Sequence, residues 1–302
     1  MHLERDRRAR GRVSIWLEAH CHWILILPCV LIIAVIVLYP ILYTIHMSLH
    51  SWFISATTNP RFVGLANFLR MFTADDRFFG ALKVTVYFTG ISVLIEMILG
   101  VGLAQFFNRE FFGKSLARSL MILPIASTPV AISLVWRNMY DPVRGIVNYF
   151  LAFLHLPGMA WLKDPHTVIP SLILIDVWQW TPLVMLIALA GMTALPLDPY
   201  EAAVIDGASP WQLFRYITLP LVRPSIVVAA IFRFIDSVKT FDVIFVTSEG
   251  GPGLASQILN LYAFDQGFRY FHMGYASAIL AVLFFAILAV SYSLIQLRRH
   301  GL

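Results

Sequence analysis

Six apolar runs, at 23–45, 84–106, 116–136, 168–190, 226–246 and 276–297, decide what this chain can become. Each reaches the roughly 20 residues that a helix needs to cross a hydrocarbon layer. Lipid offers no partners to backbone N–H and C=O groups, so a spanning segment must close its own hydrogen bonds. The runs are continuous rather than alternating, which selects helices over the strands of a closed barrel. Composition agrees, with 59% hydrophobic and 13% charged residues against about 45–50% and 25% in soluble domains. The expected fold is an all-α integral membrane protein with six transmembrane helices. Residues 1–22 form a basic tail and 23–302 one membrane domain, with no linker, low-complexity tract or internal repeat.

Six spans place both termini on one side. Twelve lysines and arginines fall on that side and eight on the other. Arg5, Arg7, Arg8, Arg10, Arg12, Arg298 and Arg299 belong to the richer set. Basic residues gather in the cytoplasm, so both termini are expected there. The first run is too long for a cleaved signal peptide, and no small-residue cleavage site follows it. Cys21 and Cys29 have neither metal-ligand spacing nor a disulfide partner in reach. The net charge of +5 is spent beside apolar runs and does not point to nucleic acid. The segments 46–83, 137–167 and 247–275 face outward, and none is large enough to bury its own core. Pro40, Pro124, Pro129, Pro170 and Pro182 interrupt the spans and permit kinks.

The segment 191–225 is the only sizeable cytoplasmic piece. Asp198 is a predicted N-cap, with Pro199 in the first turn and Glu201 three residues on. A short helix over 199–206 follows, ended by Gly207 in the left-handed region. Ser209, Pro210 and Gln212 start a second helix over 210–218, before Pro220 and Pro224 break the chain. Ala202, Ala203 and Ala208 give the first helix a low profile. Such a surface suits close approach by a partner, or it is a water-exposed connector.

Charged and polar residues also fall inside the spans: Glu96; Asp176, Trp178, Gln179 and Trp180; Arg233, Asp236, Lys239 and Asp242. Charges at such depth face protein or water and usually pair. At 100° per residue Arg233, Asp236, Ser237 and Thr240 share a stripe. Arg233–Asp236 and Lys239–Asp242 lie within pairing reach. These residues either line a hydrophilic route for a hydroxyl-rich solute, with Trp faces stacking on sugar rings, or pair internally to fix helix packing.

No catalytic or metal-binding constellation is present. Gly113-Lys114-Ser115 ends like a phosphate-binding loop, but that motif requires a glycine at position 108, where Asn108 stands, and a preceding strand. The nine histidines form no HExxH pattern, and there is no nucleophile elbow.

Glu201, Ala202, Ala203, Gly207, Ile217, Leu219 and Pro220 resemble the EAA motif of permease subunits in type I ABC importers. The likeness runs over about 25–298. Phe62-Val63-Gly64-Leu65 with Asn67-Phe68, Glu96 with Gly100 and Ala104, Thr240-Phe241-Asp242 with Thr247 and Gly250-Gly251-Pro252, and Gly274-Tyr275-Ala276-Ser277-Ala278 all fit. The maltose, trehalose, polyol and glycerol-phosphate branch is the most similar. Unlike the larger maltose-permease subunit, this chain has no extra early spans or large external domain.

The resemblance implies a multi-pass protein of a bacterial or archaeal inner membrane that forms half of a translocation path for a sugar or related polyol. Implied partners are a second homologous permease, an ATPase dimer that holds ATP and Mg, and an extracytoplasmic binding protein. This chain itself would bind no cofactor. Glu201, Ala202, Ala203, Asp206, Gly207 and Ala208 would form the coupling helix. Glu96, Trp178, Gln179, Trp180, Asp236, Ser237 and Thr240 are candidates for the solute path. Glycerol phosphate is an alternative cargo. Other classes are a proton-coupled transporter with Glu96 and Asp236 as relays, and an intramembrane enzyme.

Overall fold

A computed structural model describes residues 12–54 and 59–299. The tail before residue 12 lies outside the described residues. Among the described residues, five helices are long and apolar enough to cross a membrane, and a bent helix pair makes a sixth candidate. The first helix runs over Arg12–Ser48 and the last over Met273–Arg299, both longer than the apolar runs that mark them. The two pack against each other. Most of the first helix is otherwise exposed, as a helix facing lipid should be.

The second span, Asp76–Phe107, and the fourth, Val168–Thr193, share the largest interface. Gly100 makes that closeness possible. A Cβ built there would lie 2.5 Å from Val184 Cγ1, well inside van der Waals contact. Around this axis one core gathers Val101, Ala104, Phe107, Met185, Leu189, Met192 and Val222. Another joins Phe88, Leu172, Ile175, Ile244 and Leu261. A third joins Phe78, Tyr262, Ala278 and Ile279.

Two spans depart from the sequence expectation. The third is not one helix over 116–136. It consists of Lys114–Ala126 and Pro129–Met139, bent by 98° at Ser127–Thr128. Pro129 cannot donate to the preceding turn, and the residue before a proline is driven into extended backbone. Thr128 is extended, with φ −69° and ψ 140°.

The fifth span also differs. The expected break at Pro220 and Pro224 does not occur. Pro210–Gln212 runs through a π-helical turn at Leu213–Thr218 into Leu219–Val238. The span therefore begins about sixteen residues earlier than the apolar run suggests. The wide turn accommodates Pro220, whose missing N–H falls near the start of the following helix. At its other end the helix stops at Val238, not 246, and resumes as the short helix Asp242–Thr247.

A two-stranded hairpin, His50–Ser51 with Arg61–Phe62, follows the first span. Asn67 Nδ2 donates to the carbonyls of Ser48 and His50 at 2.7 and 3.0 Å and pins that corner. Gly274 faces the His50 carbonyl so closely that any side chain there would collide with it.

Candidate functional site

Four charges from three spans converge between the second, fourth and fifth helices. Arg233 Nε and Nη2 donate to Glu96 Oε2 and Oε1 at 2.6 and 2.9 Å, a two-pronged pair. Nη2 also reaches Asp176 Oδ2 at 3.0 Å, and Nη1 reaches Asp236 Oδ2 at 2.7 Å. Glu96, Asp176 and Arg233 are buried, while the Asp236 side chain is 46% exposed. The planar guanidinium can serve three carboxylates at once, which an ammonium could not do with fixed geometry. The Trp180 ring covers it, 4.9 Å from Cζ to centroid.

Sequence spacing found only one contact of this network, Arg233–Asp236. The expected Lys239–Asp242 pair is absent among the described residues; both side chains are exposed at the break after Val238. That break also ends the proposed stripe, because Thr240 lies beyond the helix. Arg233 and Ser237 point inward and Asp236 toward a cleft.

The cleft has a volume of about 190 Å³. Its wall includes Pro129, Asp176, Trp180, Asp236, Lys239, Thr240 and Asp242. Two spans lose their helix beside it: the third at Ser127–Thr128, just before Pro129, and the fifth between Val238 and Asp242. Irregular backbone inside a membrane protein is tolerated where it is buried or lines a water-filled cavity.

Of the expected path residues, Asp236, Trp180 and Thr240 line this cleft. Glu96 sits behind it. Gln179 and Ser237 are buried, and neither side chain has a hydrogen-bond partner among the described residues. Trp178 does not join them. It points to an apolar groove with Ser127, Val135 and Trp136, and its ring stands edge-on to Trp136 at 5.6 Å. Two residues on from Trp178, Trp180 lies on another helical face. Asp176 matters more than its position alone suggested: it lines the cleft, and its Oδ1 makes no close hydrogen bond among the described residues.

The second site is the helix Asp198–Ile205. Asp198 is its first residue, not its cap. Leu197 stands at the N-cap and provides no side-chain bond. Glu201 therefore closes no capping box with Asp198, whereas the expectations at Gly207 and Ser209 hold. Gly207 has φ +82°, and its N–H and that of Ala208 close the helix onto Val204 and Ala203 at 3.0 and 2.9 Å. Ser209 and Gln212 form a reciprocal capping box, at 3.4 and 2.7 Å. Tyr200 Oη donates to Thr218 Oγ1 at 2.9 Å, tying the helix to the π-helical turn. No residue of the helix is buried. Leu197, Val204, Ile205, Trp211 and Tyr216 are all exposed, Ile205 to 85%. Glu201, Ala202, Asp206 and Gly207 are exposed too, and Ala203 and Ala208 half-buried.

Outside the spans, Asp75 collects hydrogen bonds from Phe78 N, Tyr262 Oη at 2.6 Å and Tyr275 Oη. Sequence reading missed this node, because its members are almost 200 positions apart.

Comparison with known proteins gives these sites a context. Residues 96–298 match the family of binding-protein-dependent transport system inner membrane components. The trehalose/maltose transport system permease of Thermococcus litoralis is 36% identical over 284 residues, covering 93% of this chain and 94% of that protein. A probable ABC transporter permease of Sinorhizobium fredii is 35% identical over 294 residues, covering 97% and 92%. The sulfoquinovosyl glycerol permease of Agrobacterium fabrum is 30% identical, covering 92% and 91%. A permease chain in the crystal structure of a bacterial ABC transporter that imports the acidic polysaccharide alginate superposes with a TM-score of 0.82. It is 20% identical and covers 96% of this chain and 99% of its own. On these matches the chain belongs to the inner membrane permease components of binding-protein-dependent ABC transport systems.

Proposed function

We propose that this protein is one of two permease subunits of an ATP-driven importer for a sugar or related polyol. It resides in a bacterial or archaeal inner membrane with both termini in the cytoplasm. A second, homologous permease completes the path. An extracytoplasmic binding protein delivers the solute, and an ATPase dimer holding ATP and Mg drives the cycle. The names of the relatives, trehalose/maltose and sulfoquinovosyl glycerol permeases, support a carbohydrate cargo.

The observation that carries the reading is the short exposed helix Asp198–Ile205. It is closed by Gly207, tethered through Tyr200, and presents Val204 and Ile205 without any covering surface. A helix of two turns is not stable by itself in water. Held in place by its flanks and left apolar outside, it suits a groove on a partner. Glu201, Ala202, Ala203, Asp206, Gly207 and Ala208 form that dock, and motion of the ATPases reaches the fifth span through the π-helical turn.

Ala203→Cys in the assembled transporter should crosslink to a cysteine in the ATPase groove, with a yield that changes between nucleotide-free and ATP-bound states. Crosslinks that never reach the ATPase would reject the assignment. A proton relay through Glu96 is poorly served by a carboxylate with both oxygens on Arg233. Uptake by ATP-free vesicles under a proton gradient would revive it.

A further inference from the structure

We infer that the cleft at the two helix breaks carries a net negative charge that admits neutral or cationic hydroxylated solutes and rejects anionic ones. The inference rests on the proposed importer function and narrows its cargo. The fold leaves the sign of the cargo open, since the importer it superposes on carries an acidic polysaccharide.

The argument starts from what lines the wall. Asp176, Asp236 and Asp242 contribute three carboxylates, and Lys239 one ammonium. Behind the wall Glu96 and Arg233 cancel each other. A single proton on any of these carboxyls leaves the sum negative. Position strengthens the imbalance. Arg233 is fully buried, with Nε, Nη1 and Nη2 all committed to carboxylates of the cluster. Four of its five N–H donors are spent on these carboxylates, so little of its charge is left for an anion in the cleft. Lys239 ends the helix on an exposed, flexible stem with no ion pair among the described residues, so its charge is free to swing into water.

The carboxylates are fixed differently. Asp176 is buried, and its Oδ1 makes no close hydrogen bond among the described residues although the residue lines the cleft. An orphaned, buried acceptor of this kind accepts a hydroxyl or ammonium hydrogen and repels another oxyanion. Asp236 keeps nearly half its surface open to the same space. Trp180, Phe241 and Pro129 supply low-dielectric walls, which focus the field of these charges into the cleft. A glycerol phosphate or a uronic acid would enter against that field. A neutral sugar would present hydroxyl donors to Asp236, with the charge of buried Asp176 behind it, and an amino sugar would gain further.

The local potential can be read without knowing the solute. Thr240→Cys is placed in a chain whose Cys21 and Cys29 are serine, with Phe241→Cys as a second position should the first fail to assemble. The complete transporter with its ATPase and binding protein is held in lipid nanodiscs, nucleotide-free and with trapped ATP. A cationic and an anionic methanethiosulfonate are compared by intact mass of this chain, each rate normalised to a free thiol. The cationic reagent should react about tenfold faster or more, and Asp236→Asn with Asp242→Asn should bring the ratio close to unity. Equal rates, or faster reaction of the anion, would overturn the charge selection while leaving a solvent-reached path intact. Reaction with neither reagent in any nucleotide state would overturn the path itself, and the inference with it.

Discussion

The ionic cluster around Arg233 and the helix Asp198–Ile205 are built on opposite principles. In the cluster, residues from three helices satisfy each other: Arg233 spends its donors on Glu96, Asp176 and Asp236, and Glu96 has both oxygens bonded. The helix has no buried residue and leaves Val204 and Ile205 uncovered. One region is held together within the chain; the other is finished only by something outside it. Substitutions at the buried members of the first, Glu96, Asp176 and Arg233, should therefore damage the fold, and in the second should damage work done with a partner while sparing the fold.

The largest effect is expected from Arg233→Met. It strands the carboxylates of Glu96 and Asp176 in a dry interior, and breaking one member of a buried ion pair costs about 3–5 kcal/mol. Yield of assembled complex and melting temperature in detergent should both fall sharply. Glu96→Gln and Asp176→Asn, added to the same chain, should recover much of the loss, because no stranded charge remains. A native melting temperature for Arg233→Met alone would show that the cluster does not hold the three spans together.

Gly207→Val should separate the two regions most cleanly. A β-branched residue at φ +82° carries roughly 1–2 kcal/mol of strain. Nothing lies within 4 Å of a Cβ at that position, so no packing is disturbed. Insertion and melting should change little, while ATP-linked uptake should be lost as the end of the docking helix is displaced. Normal uptake would count heavily against that helix as the coupling element. Gly100→Ala is the converse: it is buried between the second and fourth spans, against Val184, and overpacking of this kind costs about 1–3 kcal/mol. It should lower the melting temperature moderately, and a loss of uptake should appear only in proportion to the loss of folded protein.

The same contrast explains what the sequence disclosed. Long apolar runs, the capping box at Ser209 and Gln212, and the left-handed Gly207 rest on neighbouring residues, and local patterns record them. Pro129 marked a kink but not a 98° break, because its depth depends on what the freed backbone meets. Spacing of three offered Arg233–Asp236 and Lys239–Asp242 as equals. Only packing chose between them, by setting Glu96 and Asp176 opposite Arg233 and ending the helix at Val238. Trp178 and Trp180 read alike as sugar-stacking rings, yet a turn of the helix sends one to an apolar groove and the other over a guanidinium. In the sequence Gly100 is part of a resemblance, but its physical reason, contact with Val184, needs the fourth span in place.

The smallest effect tests whether a self-satisfied polar node outside the spans behaves like the buried cluster in weaker form. Asp75 is partly desolvated, which by itself would raise its pKa. The hydroxyls of Tyr262 and Tyr275, with backbone N–H groups, outweigh that and hold the carboxyl below its ordinary value. The sign follows from linkage: a depressed native pKa stabilises the fold above the unfolded value, near 3.9, and that contribution fades as pH falls through the native pKa. Asp75→Asn should therefore lower the melting temperature slightly and evenly between about pH 5 and 8, and the gap to the wild type should narrow only in stronger acid. Because Asp75 is only half-buried, the shift should be well below that of Arg233→Met. A gap that instead widened on acidification would mean that the protonated carboxyl is the form the tyrosines favour, and that this node does not resemble the cluster.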